Sequence, residues 1–250
     1  GKTTTKEMLK HILSKDMLVQ TSISSINEPR QSLGYLLGIE DETKAAVFEL
    51  GLGNSGNISH QCRVYQPTIG VITNIGVHHL DGCKDLKGYI QAKGEILQGI
   101  RAGGTLIINA DDANTKKLPL ASYKNKVITF GLHNEADITA TNVHYAAKGM
   151  KFQVHVNNQT YNAYIPGYGE HQVYNVLAVL AVIQELGFSI QRAIMHLRTF
   201  KQMERHLQFS TGLGGSTIID DTWTNNPTSV EAALKVIDAI GKGKKRYLVL

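Results

Sequence analysis

Three groups of residues in this 250-residue sequence have types and spacings suited to chemistry. The first lies in "GKTTTKEMLK" (1–10), where a Gly-Lys-Thr triplet runs straight into a helical pattern. Glycine lets backbone N–H groups face a phosphate with no Cβ in the way, the ammonium of Lys2 can reach β- and γ-phosphates, and the hydroxyl of Thr3 can ligate Mg²⁺. Met8, Leu9, Ile12 and Leu13 recur behind the triplet at helical spacing, which would set it at the positive end of a helix dipole. An ordinary capped helix can carry the same three residues, and the upstream glycine of a complete phosphate loop is absent. The expectation is a sequence that begins inside such a loop.

The other two groups follow apolar runs. "FELGLGNSGNI" puts Glu49 at the end of a strand-like run and before a glycine-rich turn. "VITNIGVHHLDG" puts Asn74, His78, His79 and Asp81 just past the next run. In open parallel sheets ligands bind beyond the carboxyl ends of strands, so a carboxylate and an imidazole there are candidate Mg²⁺ ligands. The alternative is a half-buried Glu49 satisfied by turn N–H groups, with histidines on the surface.

The elements that must hold these residues are those of an α/β protein. "AAVFEL" (45–50), "TIGVITNI" (68–75) and "GTLIINA" (104–110) are apolar on both faces, as buried parallel strands are. Leu86, Ile90, Ile96, Leu97 and Ile100 predict one helix between the last two, completing a strand–helix–strand rhythm. Residues 137–166 alternate polar and apolar around "KGM" and "NNQ", which predicts an antiparallel meander. Helices are expected at 171–186, 189–200 and 227–240, a hairpin at 206–210 and 216–220, and a strand over "RYLVL" (246–250). Ending on a buried-type strand suggests a sequence cut at that end too.

Composition narrows the class. No apolar run approaches the roughly 20 residues of a membrane-spanning helix, and no signal peptide is visible. Cys62 and Cys83 form no C-x-x-C pair, which suggests a reducing compartment and no zinc site. A formal charge of +5 suits a small anionic substrate but lacks the Lys/Arg clustering expected of a nucleic-acid binder.

In order along the chain, "GKTTTKEML", "FELGLGNSGNI", "PTIGVITNIGVHHLDG", "YIQAKGEIL", "INADD", "GEHQVYNVLAVLAV", "MERHLQ" and "IIDDTWTNNPTSVEAAL" resemble the Mur ligase family of ATP-dependent amide ligases, from residue 1 to residue 250. The likeness is greatest to the branch that adds D-alanyl-D-alanine to a UDP-N-acetylmuramoyl-peptide in peptidoglycan synthesis. It implies a P-loop-type, mostly parallel sheet flanked by helices with an added antiparallel β meander. Residues 1–200 would be the central ATP-binding domain, and 201–250 the start of a dinucleotide-fold-like α/β C-terminal domain. An N-terminal substrate-binding domain would be missing.

The resemblance also implies roles. Gly1, Lys2, Thr3 and Thr4 would hold the phosphates of ATP, with Thr3 and Glu49 on a first Mg²⁺. His79 would bind a second Mg²⁺ together with Lys93, which matches a lysine that the family carbamylates; read alone, Lys93 is a solvated helix residue. Asn175 would lie at the adenine, and Arg205 and Asp221 would reach the nucleotide from the second domain. Lys2, His79 and Lys93 would form the catalytic set. The partners implied are a UDP-muramoyl-peptide and a dipeptide or amino acid, acted on by a cytoplasmic monomer that needs neither nucleic acid nor membrane. The sequence departs from the family pattern at His171-Gln172, where relatives carry His-Asn. It departs again at Trp223, which replaces a tyrosine, and in "SSINEPRQSLGYLLG" (24–38), where only Asn27 and Gly34 remain and Arg30 is new. Two other readings stay open: a related ligase acting on a folate, polyamide or cofactor, and a P-loop module that binds nucleotide without ligating anything.

Overall fold

A computed structural model describes residues 1–76, 80–223 and 226–249. Two parallel strands, β1 (Leu18–Thr21) and β2 (Thr43–Val47), form a small sheet of their own. Six more form a mixed sheet in the order β3-β4-β5-β6-β7-β8. In it β3 (Ile69–Ile72), β4 (Thr105–Asn109), β5 (Lys126–Gly131) and the start of β6 (Ile138–Ala146) run parallel. From β6 the chain turns back through β7 (Gly149–Val156) and β8 (Gln159–Pro166) as an antiparallel meander.

The two-residue period of a strand explains why β4 is buried throughout. Ile107 faces one apolar cluster while Leu106 and Ile108 face the other. The first cluster is built by α1 (Lys2–Leu13), α6 (Glu170–Glu185) and α7 (Ile190–Leu197). Met8, Leu9, Ile12 and Leu13 of α1 pack there with Val173 to Ile183 of α6. Ile190, Ala193, Ile194 and Leu197 bring one stripe of α7 to the same core, and the Ser189 hydroxyl accepts from the Arg192 N–H to cap that helix. The second cluster lies under α3 (Asn57–Tyr65), α4 (Leu86–Gly94) and α5 (Ile96–Gly99).

The expected meander and the helices near 171, 189 and 227 all form. Some details differ. The helix expected over 86–100 breaks at Glu95, whose backbone closes α4 on Ala92 while its side chain bonds elsewhere. Strands β1 and β5 and helices α2 (Ser32–Leu37) and α3 were not anticipated. The hairpin forms as β9 (Gln208–Thr211) with β10 (Thr217–Asp220), and α8 (Pro227–Ile240) follows under an Asn226/Ser229 capping box. The strand expected at 246–250 is a correction. Residues 246–249 carry no ladder, because no strand among the described residues offers them backbone partners, and Leu250 lies outside the described residues.

Residues 201–249 touch the rest through few side chains. Phe209 packs edge-on against Tyr168 at 4.8 Å, and the buried Val236 lies against Gly169. No helix among the described residues is long and apolar enough to cross a membrane.

Candidate active site

The head of α1 meets the carboxyl ends of β2, β3 and β4, and the chemistry-bearing side chains converge there. Gly1 sits where two elements press on the loop: an added Cβ would lie 3.0 Å from Asn175 Oδ1 and 3.2 Å from Thr73 Oγ1. A side chain there would have to push Asn175 or Thr73 aside by a few tenths of an ångström. Thr3 Oγ1 donates to Glu49 Oε2 at 2.6 Å, and Lys2 Nζ lies 3.6 Å from Glu49 Oε1. Glu49 is buried, and its oxygens are satisfied by these partners and by Asn27, whose Nδ2 donates to Oε1 at 2.6 Å. Thr4 is buried in the same turn, and Thr5 Oγ1 donates to Asn175 Oδ1 at 3.4 Å.

Behind Glu49 the glycine-rich turn is locked from two sides. Gln61, fully enclosed, accepts from Gly51 N and donates to Gly51 O and Asn57 O. Glu95 reaches across from the break between α4 and α5 and accepts from Gly56 N at 2.6 Å and Ser59 N at 2.9 Å, a carboxylate at the head of α3. That contact ties the turn after Glu49 to the helix carrying Lys93. Lys93 is half-buried, with Nζ 5.5 Å from the centre of the Tyr89 ring. Burial first, and then the nearby charge of Lys2, push its amine down to about 7, against an opposing pull from Glu49. Near neutral pH a substantial fraction of this amine is unprotonated.

The "INADD" stretch supplies a second hub. Asp112 Oδ2 accepts from Ile75 N, and its Oδ1 accepts from Asn114 N and Thr115 N, fixing the chain beyond β3. Asp111 accepts from Leu132 N, His133 N, Asn134 N, Asn134 Nδ2 and the Tyr174 hydroxyl, at 2.6 to 3.1 Å. Burial alone would raise its carboxyl; the hydrogen bonds outweigh it and hold the group at about 2. Tyr174 is thereby anchored directly before Asn175. Burial also pushes His171, in the first turn of α6, down to about 4.

Gly1, Lys2, Thr3, Glu49, Lys93 and Asn175 thus come together. Arg205 and Asp221 do not join them. Arg205 Nε donates to Thr222 Oγ1 at 3.0 Å and its guanidinium lies 5.5 Å from the Trp223 ring centre, while Asp221 Oδ1 accepts from Leu207 N at 3.0 Å. His78 and His79 lie outside the described residues. The sequence reading missed Lys6, Ser22 and the Glu49 contact of Asn27, and it quoted Glu95 and Asp111 inside motifs without giving them work. Among the described residues no three His, Cys, Asp or Glu side chains gather as a metal cage. A hydroxyl and one carboxylate beside a lysine instead fit Mg²⁺, which takes few protein ligands and completes its shell with phosphate oxygens and water.

A P-loop-like helix head, a carboxylate beyond a parallel strand and a helix-borne lysine of lowered basicity lie together at one end of the sheet. The chain belongs to the Mur ligase family: the model of the Mur ligase middle domain matches residues 1–183. It is 30% identical over 243 residues to the UDP-N-acetylmuramoyl-tripeptide–D-alanyl-D-alanine ligase of Buchnera aphidicola subsp. Baizongia pistaciae, covering 96% of this chain and 52% of that protein. A crystal structure of MurF from Acinetobacter baumannii superposes with a TM-score of 0.90 at 31% identity, covering 96% of this chain and 52% of that one. MurF from Thermotoga maritima, crystallised with ADP, shares the fold at TM-score 0.85 and 22% identity, over 96% of this chain and 55% of that one. The chain spans about half the length of the curated relatives it matches.

Proposed function

We propose that this chain is the ATP-handling core of an ADP-forming amide ligase that adds D-alanyl-D-alanine, or a similar amine, to a UDP-N-acetylmuramoyl-peptide in cytoplasmic peptidoglycan synthesis. The observation that carries the reading is the 2.6 Å bond from Thr3 to the buried Glu49 at the head of α1, with Lys2 beside it. Residues 1–200 would form the ATP-binding domain and 201–250 the start of a second one. The enzyme would work as a monomer.

Thr3 and Glu49 would hold one Mg²⁺; His79 and Lys93, the latter as its carbamate, would hold another. These ions would spread the negative charge of the transferring phosphoryl group. Lys2 adds a fixed positive charge at the same place. Gly1 and Thr4 would lend backbone N–H groups to the phosphates, and Asn175, steadied by Thr5 and its neighbour Tyr174, would meet the adenine. The carboxylate of the first substrate is activated as an acyl phosphate. The amine of the second attacks its carbonyl carbon, the amide forms, and phosphate leaves. A carbamate forms only on a neutral amine, and an amine held near 7 supplies a far larger neutral fraction than an ordinary lysine does.

The test uses the full-length polypeptide with ATP, UDP-N-acetylmuramoyl-tripeptide and D-alanyl-D-alanine. ADP release should require both acceptor and dipeptide. Lys93→Ala should abolish it, and added acetate or formate should restore part, since a small carboxylate can fill the vacated metal site. Release indifferent to the dipeptide would refute the substrate assignment; near-normal turnover by Lys93→Ala would return that residue to the solvated surface.

A further inference from the structure

Lys6 is a buried lysine, 3% exposed, that the proposed chemistry does not use. Burying an ammonium is costly unless it is paired and hydrogen-bonded. Here Nζ donates to Ser22 O and Ser24 O, both at 2.6 Å, and lies 2.7 Å from Glu7 Oε1. What it grips is a short turn that the Tyr35 hydroxyl also holds, donating to Ile26 O at 3.0 Å. Ser24 has φ +47°, in the left-handed region that serine rarely adopts, and the turn is closed by one backbone bond, Ile26 N to Ile23 O.

Both ends of that turn reach Glu49. The Ser22 hydroxyl, fully enclosed, accepts from Glu49 N at 3.1 Å, and Asn27 Nδ2 donates to Glu49 Oε1 at 2.6 Å. Gly51 follows so closely on Asn27 that an added Cβ would lie 2.3 Å from its carbonyl oxygen. We propose that Lys6 is a positioning residue for the metal–nucleotide site: its ammonium fixes the 22–27 turn, and the turn fixes the backbone and one carboxylate oxygen of Glu49. One helix therefore sets both sides of the site, Thr3 directly on one oxygen of Glu49 and Lys6 through the turn on the other. The inference rests on the reading of Glu49 as the carboxylate that takes Mg²⁺.

The full-length polypeptide, titrated with ADP in EDTA and across a Mg²⁺ series, tests it. Lys6→Met should leave the metal-free ADP affinity within about twofold and raise the Mg²⁺ half-saturation about tenfold, the scale on which partners of metal ligands act. Ser22→Ala, which removes one hydroxyl, should shift it in the same direction by a smaller factor. Amide exchange over 22–27 in the ligand-free protein should quicken in Lys6→Met. If Lys6→Met does not fold, Ser22→Ala decides alone. An unmoved Mg²⁺ half-saturation in either folded variant overturns the proposal, as does an equal loss of metal-free and metal-dependent binding. A wild type whose ADP affinity ignores Mg²⁺ overturns the metal reading of Glu49 and the proposal with it. That outcome is distinct from failure of the strap alone, where wild type and variants respond to Mg²⁺ alike.

Discussion

The amine of Lys93 falls to about 7 in the fold, against 10.5 for an ordinary lysine. Across that interval the unfolded chain binds a proton that the folded chain has released, so stability rises with pH from about 7 toward 10.5. Below 7 the folded protein must keep the ammonium charged in a desolvated place, and the penalty is present in full. Lys93→Met, similar in length and uncharged, should therefore melt about 5 °C above wild type at pH 6 in metal-free, CO₂-free buffer. The gap should narrow by pH 9.5. A gap of equal size at both pH values would show that the side chain's packing, not its charge, is responsible. The same substitution should cost activity, since stability is given up here for an amine able to change its charge.

Among the elements, Asp111 joins the end of β4, the loop after β5 and the first turns of α6 through five hydrogen bonds on one carboxylate. Removing it leaves the Leu132, His133 and Asn134 amides and the Tyr174 hydroxyl to find other acceptors. Asp111→Ala should lower stability by about 2 kcal/mol in urea unfolding at pH 7, moderated by the partial exposure of the loop. Because the folded carboxyl is held at about 2, below its unfolded value, this contribution is present above about pH 4 and fades as pH falls toward 2. The variant should therefore approach wild type in acid, and a deficit that persists unchanged at pH 2 would point to lost packing. Tyr174 should also lose its anchor, so nucleotide affinity is expected to drop with stability.

For the whole molecule, the stretch after residue 200 leans on the rest at Tyr168, Gly169 and Gly167 and keeps Arg205 on Thr222 and Trp223. If Arg205 reaches bound nucleotide from a second domain, as the family resemblance implies, it must leave these local partners to do so. Arg205→Ala in the full-length polypeptide should weaken nucleotide binding or slow amide formation about tenfold. It should change the melting temperature of the ligand-free protein by no more than about 1 °C, as a surface substitution does. Unchanged affinity and rate together would remove Arg205 from the nucleotide site.

Periodicity alone determined much of this fold. The 3.6-residue stripe of α1, the two-faced apolar runs of β3 and β4, the alternation through β6 to β8 and the helix at 227–240 all reappear, because each is a local pattern that burial then rewards. Local pattern failed where pairing decides. β1 is four residues long and becomes a strand because β2 lies beside it, whereas the run at 246–249 finds no partner strand among the described residues. The glycine-flanked residues of the candidate site were legible as types at strand ends and helix heads. Their supports were not. Lys6 with Ser22, Thr3 with Glu49 and Tyr174 with Asp111 are separated by 16, 46 and 63 residues. No spacing rule links such pairs; only packing the helices against the sheets sets a lysine on the turn at 2.6 Å and that turn on a carboxylate at 2.6 Å.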